Sequence, residues 1–290
     1  MERLTEPGRC TGLLLCPVCA RTLTDVDPSA RCAEGHSFDY ARSGYLNLTR
    51  QAGARARVGD TAPMVRARAE LLATGHYDRL LAAVADAVGP SASVVAEVGS
   101  GTGHYLAATV ARMRERGGGP ECAFGFDLSK PAADHAARKH PDLRFVVADV
   151  EASIPLRDSV SDVVLSVFAP RPGQELARVI RPGGELVTAF AAPRHLERLR
   201  DRWDLMGVRE QKLEELTTRL EPWFEPVSAA AVDYEVELSE DDARLVALMG
   251  PNAWHDHELE PLGGPIIDRV SVVVARFRRL QARGMATAIT

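Results

Sequence analysis

The sequence predicts an α/β chain in which a doubly wound sheet domain follows a short metal-held module. Three observations carry that expectation. From residue 93 onward short apolar runs alternate with helical stretches, the pattern of βαβ units and of a parallel sheet with helices on both faces. The glycine-rich run Gly99-Ser100-Gly101-Thr102-Gly103 joins an expected strand to an expected helix. Three of the five cysteines, Cys16, Cys19 and Cys32, lie at short spacings just ahead of His36, which points to a metal.

Residues 10–48 are rich in Cys, Gly and turn formers and contain the alternation Tyr45-Leu46-Asn47-Leu48. Residues 49–62 read as a basic connector. A helical pattern then runs from Pro63 to about Val88, interrupted at Gly75. Strands are expected at 93–98, 121–126, 144–148, 160–168, 185–191, 227–238 and 270–277. Helices are expected at 105–116, 131–139, 174–179, 196–220 with a break near Gly207, and 240–249. The organisation is therefore a module at 1–48, a connector and linker helix at 49–90, and the sheet domain at 91–290.

Of the 290 residues 46% are hydrophobic and 26% charged, an ordinary globular balance. No run approaches the roughly 20 apolar residues of a membrane helix, and the polar start lacks an apolar signal core, so a cytoplasmic protein without membrane contact is expected. In a reducing compartment no disulfide is expected, and Cys10 and Cys122 read as bystanders. The net charge of −5 hides an asymmetry: residues 1–68 carry +3 and the remainder −8. Arg50, Arg55, Arg57, Arg66 and Arg68 face Asp60 alone across 50–68, which suits either phosphate contact or a solvated linker.

Cys16-Pro17-Val18-Cys19 is followed after twelve residues by Cys32 and after three more by His36. A two-residue gap lets one turn present both thiolates to a tetrahedral zinc, and Gly35 permits a tight turn before the last ligand. Four protein ligands leave no open position, so the Zn2+ is expected to be structural.

The glycine loop reads Glu97-x-Gly99-x-Gly101-x-Gly103 instead of the dinucleotide pattern. Glu97 would repel a pyrophosphate, but it can bind the ammonium of a methionine moiety. Asp127 ends the next strand, where a carboxylate accepts ribose hydroxyls. Asp149 ends the strand after that, where an adenine edge would lie. Loop and acids at successive strand ends point to S-adenosylmethionine and to a Rossmann-like class I methyltransferase domain.

These features, in this order, resemble the RlmA-type 23S rRNA (guanine-N1)-methyltransferases over nearly the whole chain. Beyond Cys16/Cys19/Cys32/His36, the likeness rests on Phe38-Asp39, Gly44-Tyr45-Leu46-Asn47-Leu48, Gly59-Asp60, Met64, Ala67-Arg68 and Gly75-His76-Tyr77. It continues through Asp127-Leu128-Ser129-Lys130, Phe168-Ala169-Pro170, Glu175 to Val179, Pro182-Gly183-Gly184, Pro193 to Leu196, and Pro251-Asn252-Ala253-Trp254. The Arg- and Ala-rich composition resembles the actinomycete branch similar to the tylosin-resistance enzyme. That branch modifies guanine 748 beside the macrolide-binding tunnel, and a neighbouring branch modifies guanine 745.

The resemblance implies cofactor contacts at Tyr77, Gly101, Thr102 and His195, beside Glu97, Gly99, Gly103, Asp127 and Asp149. It implies an rRNA hairpin loop as substrate, splayed to expose guanine N1, with a homodimer left open. Candidate base readers are Phe168-Ala169-Pro170-Arg171, Trp254 and His255-Asp256-His257, and no residue is assigned as the proton acceptor. A small-molecule methyltransferase would share the loop but not need the module. A non-catalytic zinc-dependent RNA-binding protein would share the module but not need Asp127.

Overall fold

In the computed structural model, residues 10–49, 57–209, 211–250, 253 and 259–281 are described. Arg50, Arg55, Pro251, Asn252, Trp254, His255, Asp256 and His257 lie outside them.

The N-terminal part is a three-stranded antiparallel ribbon, β1 (Leu23–Val26), β2 (Ser29–Cys32) and β3 (Ser37–Asp39). A fourth strand, β4 (Leu46–Asn47), leaves the ribbon and adds to the edge of the main sheet, parallel to β7 (Arg144–Val147) with Leu46 opposite Val146. The Tyr45–Leu48 alternation is thus satisfied by the main sheet. Further ties run from Leu15 N to the Pro155 carbonyl (3.0 Å) and from Arg157 N to the Leu13 carbonyl (2.9 Å). Leu14, Leu23, Leu46 and Leu48 share one buried core with Phe124, Phe126 and Ile154 of the sheet domain.

One expectation is corrected here. Cys10 and Cys122 form a disulfide, with Cα atoms 5.7 Å apart across 112 residues. The fold brings the start of the ribbon to the start of β6 (Cys122–Asp127), a proximity that cysteine spacing along the chain does not encode.

The linker helix is two helices, α1 (Ala62–Ala73) and α2 (Asp78–Asp86), parted at Gly75, whose φ of +86° only glycine adopts freely. Then follow β5 (Val94–Val98), α3 (His104–Glu115), β6, α4 (Lys130–Lys139), β7, β8 (Ser161–Val167), α5 (Gly173–Val179) and β9 (Ile180–Ala191). The chain continues with α6 (Glu197–Trp203), α7 (Lys212–Leu220), β10 (Phe224–Leu238), α8 (Glu240–Leu248) and β11 (Ile266–Arg279). Local chemistry sets the helix starts: the Ser129 hydroxyl accepts from Ala132 N (3.1 Å) ahead of α4, and Ser239 with Asp242 forms a capping box on α8.

The eight strands run in the order β10-β11-β9-β8-β5-β6-β7-β4. From β4 to β9 every pairing is parallel, as expected. The last two strands depart from that expectation: β11 inserts antiparallel between β9 and β10. Period-two alternation splits each strand between two cores. Val163, Leu165 and Val167 of β8 face α1, α2, α3 and α6, while Val164 joins the ribbon, α5 and α7. Strand order reverses between β5 and β8, so the crevice at the carboxyl ends of these strands is where such a sheet binds ligands.

Candidate cofactor site and metal centre

The sulfur atoms of Cys16, Cys19 and Cys32 and a ring nitrogen of His36 all lie within 4.8 Å of one another. Cys19 Sγ to Cys32 Sγ is 3.6 Å, Cys16 Sγ to His36 Nδ1 3.6 Å and Cys32 Sγ to His36 Nδ1 3.3 Å. A tetrahedral zinc with sulfur at about 2.3 Å and nitrogen at about 2.0 Å requires edges of roughly 3.5–3.8 Å, so the donor set fits. Cys16 and Cys32 are buried, and backbone turns shape the two halves: Ala20 N reaches the Cys16 carbonyl (2.9 Å) and Gly35 N the Cys32 carbonyl (3.0 Å).

At the carboxyl end of β5, Gly99, Gly101 and Gly103 all take positive φ, +66°, +51° and +79°. A Cβ on Gly99 would stand 2.5 Å from the Cβ of Ala169 in the loop after β8, and one on Gly103 2.8 Å from the Phe145 ring. The loop is thus a bare backbone cradle closed on both sides. Asp127, at the end of β6, accepts from Gly101 N and Ser129 N, each at 2.8 Å. Burial pushes its carboxyl above the usual range, and those two amides oppose the rise. Glu97 is fully buried on β5 and accepts from Leu106 N in the first turn of α3 (3.0 Å). Burial drives the Glu97 carboxyl well upward, with the Asp127 charge adding to it. Thr102 is buried, and its hydroxyl faces His104 Nδ1 at 2.8 Å.

Tyr77, just before α2, is 2% exposed, and its hydroxyl is buried without a hydrogen-bond partner. A group able to bond that hydroxyl would relieve a cost of about 1–3 kcal/mol. Its ring meets the His195 ring edge-on at 6.3 Å, and His195 stacks against Phe168 at 6.0 Å. Three aromatic rings therefore lead from the buried hydroxyl outward to Phe168, which is 46% exposed and holds a φ of +52°. A left-handed backbone costs a non-glycine residue about 1–2 kcal/mol; here it carries the ring out past the end of β8.

His195 Nδ1 accepts from the Ser271 backbone N–H (3.2 Å). An amide nitrogen only donates, so the neutral ring bears its proton on Nε2 and presents a donor. Burial, then Arg200 and Lys212, lower the His195 pKa to about 4. Burial, then His140 and His135, do the same for His104, also to about 4. Imidazole NMR resonances of both rings are therefore expected to stay unshifted from about pH 8 to about pH 5; a midpoint near the ordinary value of about 6.5 would contradict this. Because protonation favours the unfolded chain, these rings withdraw stability as pH falls from about 6.5 towards 4.

Asp149 stands two strands from Glu97 and engages the chain around it. It accepts from Glu151 N (3.1 Å) and pairs with Arg57 Nη1 (3.4 Å). Arg57 also meets Glu151 at 3.1 Å, so this arginine of the basic connector, read as either phosphate contact or solvated linker, is held by two carboxylates.

The fold also joins motifs that lie far apart in the sequence. Gly59 packs on the turn after β6, where a Cβ would be 2.6 Å from Ser129 N, and the Ser129 hydroxyl donates to the Asp60 carbonyl (2.6 Å). Arg68 pairs with Asp60, donates to the Met249 carbonyl (2.6 Å) and lies over the glycine loop, 3.2 Å from where a Gly101 Cβ would sit. No spacing rule links residues 59, 68, 101 and 129, so this clamp had no sequence signal beyond the resemblance.

Comparison with known proteins bears on both halves. A zinc-ribbon family described as "RlmA, N-terminal" matches residues 14–49, and a methyltransferase-domain family matches residues 95–184. The chain is 40% identical over 247 residues to the 23S rRNA (guanine(748)-N(1))-methyltransferase of Streptomyces fradiae, covering 83% of this chain and 86% of that one. It is 37% identical over 292 residues to a Micromonospora griseorubida protein provisionally described as a 23S rRNA (guanine-N(1)-)-methyltransferase, covering 91% and 97%. Among solved structures, a chain of the complex between the Haloferax volcanii Trm112 methyltransferase activator and a methyltransferase shares the fold. It aligns with TM-score 0.51 at 18% identity, over 76% of this chain and 95% of that chain.

Proposed function

The chain belongs to the family of 23S rRNA (guanine-N1)-methyltransferases, and on that premise we propose that it methylates N1 of guanine 748 in a 23S rRNA hairpin loop and so confers resistance to tylosin-type macrolides. The observation that carries the reading is a convergence at the carboxyl ends of β5, β6 and β8. The bare Gly99–Gly103 cradle, tied to the Asp127 carboxylate, packs on Ala169 next to the exposed Phe168 ring, and the Tyr77 ring with its orphaned hydroxyl joins Phe168 through His195.

S-adenosylmethionine, when bound, supplies a methyl group activated on a sulfonium. Asp127 would accept the ribose hydroxyls, and Gly101 and Thr102 would offer loop backbone. Glu97, whose carboxyl burial pushes well upward, would be drawn towards its ionised form by the methionine ammonium. Tyr77 and the Nε2–H of His195 both suit the cofactor's methionine end as donors. Asp149 would meet the adenine edge from the end of β7. Cys16, Cys19, Cys32 and His36 would hold zinc in a closed, structural site.

Guanine N1 carries a proton at neutral pH and attacks only once it is lost. His195 cannot take that proton, because Nδ1 is already bonded to Ser271 N–H and Nε2 is protonated. The contribution this chain makes is positioning: Phe168 is exposed to stack on the splayed guanine, holding N1 in line with the methyl. The domain reading that goes with this is a zinc module at 1–48 and a linker at 49–90, with catalysis at 91–290 in the cytoplasm; a homodimer is compatible with it.

The test is primer extension on 23S rRNA after incubation with the protein and S-adenosylmethionine, where a stop at guanine 748 is expected and a stop at 745 would reassign the target. Asp127→Ala is expected to weaken S-adenosylmethionine binding about 10- to 150-fold, from the roughly 1.5–3 kcal/mol of a lost charged acceptor. Unchanged affinity by calorimetry would remove Asp127 from the cofactor site.

A further inference from the structure

Beside the Phe168–His195 pair, cations gather from three separate stretches of sequence. Arg171 follows Phe168 in the loop after β8, Arg200 lies on α6, and Arg209, Lys212 and Arg219 belong to α7 and the segment before it. Packing fixes α7 against the Arg171 loop: a Cβ on Gly173 would stand 3.4 Å from Leu220 and 2.7 Å from the Trp223 ring.

Arg171 is held by neutral partners. Its Nε donates to the Thr188 hydroxyl (2.6 Å), its Nη2 to the Ala189 carbonyl (3.3 Å), and its guanidinium lies 5.6 Å from the centre of the Phe190 ring. Arg200 donates to the Pro193 carbonyl, and its Nε is buried without a partner. Among the described residues, the acid reaching the cluster is Glu215, which meets Arg209 at 3.6 Å with both side chains more than half exposed. Burial and then the Arg219 charge hold the Arg171 pKa down to about 10. Burial followed by Arg171, Arg209 and Arg200 lowers Lys212, with Glu215 opposing.

Like charges at this density repel one another, and an incoming anion would relieve that cost. The cofactor carries no phosphate; its single anionic group, the methionine carboxylate, comes with a sulfonium and an ammonium and leaves most of the cluster's charge uncompensated. A splayed nucleotide supplies the missing negative charge, because the phosphates on either side of it travel with the base. Arg57, by contrast, is already spent on Asp149 and Glu151.

We propose that Arg171, Arg209, Lys212 and Arg219 form the seat of the RNA phosphodiester backbone flanking the guanine that stacks on Phe168. This rests on the rRNA reading above and adds which surface grips the strand. Arg171, anchored by hydrogen bonds, supplies a fixed guanidinium; Arg209, Lys212 and Arg219 supply charges that adjust to the backbone. Such contacts set the register of the strand without reading its sequence.

The test uses the full-length, zinc-loaded protein and a 23S rRNA fragment containing the target hairpin. Arg209→Gln, Lys212→Gln and Arg219→Gln are combined, leaving Arg171, bonded to Thr188 and Ala189, intact so that folding is spared. The slope of log affinity against log salt is expected to flatten by about 2, near 0.7 for each of three lost single-strand phosphate contacts. KM for RNA should rise at least tenfold while kcat stays within about twofold and S-adenosylmethionine affinity is unchanged. A control neutralises Arg112, Arg114 and Arg138, exposed arginines of α3 and α4 that pair with acids. If the cluster variant keeps the parental slope, or the control flattens it equally, the cluster is not the phosphate seat. If the parent protein methylates the fragment in that same experiment, the functional reading survives this failure. If the parent neither binds nor methylates it, the functional reading falls, and this inference falls with it.

Discussion

Replacing Cys16 and Cys19 together by serine is expected to remove the metal, lower the melting temperature by about 10 °C or more, and stop methyl transfer. Two ligands of the Cys3His set are lost, and structural zinc contributes on the order of 10 kcal/mol to folding modules of this kind. The effect reaches beyond the ribbon because its core is not its own. Leu14, Leu23 and Leu46 are buried at 1%, 0% and 1% exposure in a core shared with Phe124 and Phe126 of β6. Exposing three leucines costs about 5 kcal/mol, and in a domain of this size each kcal/mol is worth roughly 2–4 °C. For the same reason, a chain cut near Gly59 would lose β4 from the sheet edge and the Leu46–Val146 pairing. Elemental analysis, thermal unfolding and methyl transfer on 23S rRNA read the outcome. A zinc-free double variant that melts and turns over like the parent would show the ribbon to be dispensable.

Gly101→Val is expected to reduce S-adenosylmethionine affinity at least 100-fold while the fold survives. Gly101 holds φ at +51°, where a β-branched residue is strained by about 1–2 kcal/mol or more. Its Cβ would stand 3.2 Å from Arg68 Nη1, before the two γ-methyls of valine are added. Its amide would no longer be free to sit 2.8 Å from the Asp127 carboxylate, so the cradle and that carboxylate are disturbed together. Gly101→Ala should fall between the two, because it keeps the backbone strain but adds only one carbon. Calorimetry at matched thermal stability makes the comparison. Parental affinity in the valine variant would mean that the cofactor does not approach this loop.

The features of the site that were legible beforehand are those that local chemistry fixes. The Cys-x-x-Cys and Cys-x3-His pairs place two ligands on one turn, and the structure closes the two turns into one cluster. Three glycines spaced by two adopt three positive φ angles because the turn admits little else. Strand positions from β5 to β9 followed from apolar runs bounded by turn residues. Phe168 was among the candidate readers, but its exposure and its contact with His195 were not foreseeable: the two lie 27 residues apart at the ends of different strands.

The amino-acid sequence by itself determined the chemistry of this protein: a closed thiolate–imidazole donor set, an α/β sheet, and a glycine loop with acids at successive strand ends. Tertiary structure alone decided what that chemistry is attached to. It turned β11 antiparallel, since side-chain alternation records which face of a strand is buried but not its direction. It built β4 into the catalytic sheet and joined Cys10 to Cys122. It also paired Arg57 with two carboxylates while holding Arg171 by the Thr188 hydroxyl and the Ala189 carbonyl. Charge along a sequence counts cations, whereas the partner of each cation is set by residues that folding brings from a hundred positions away.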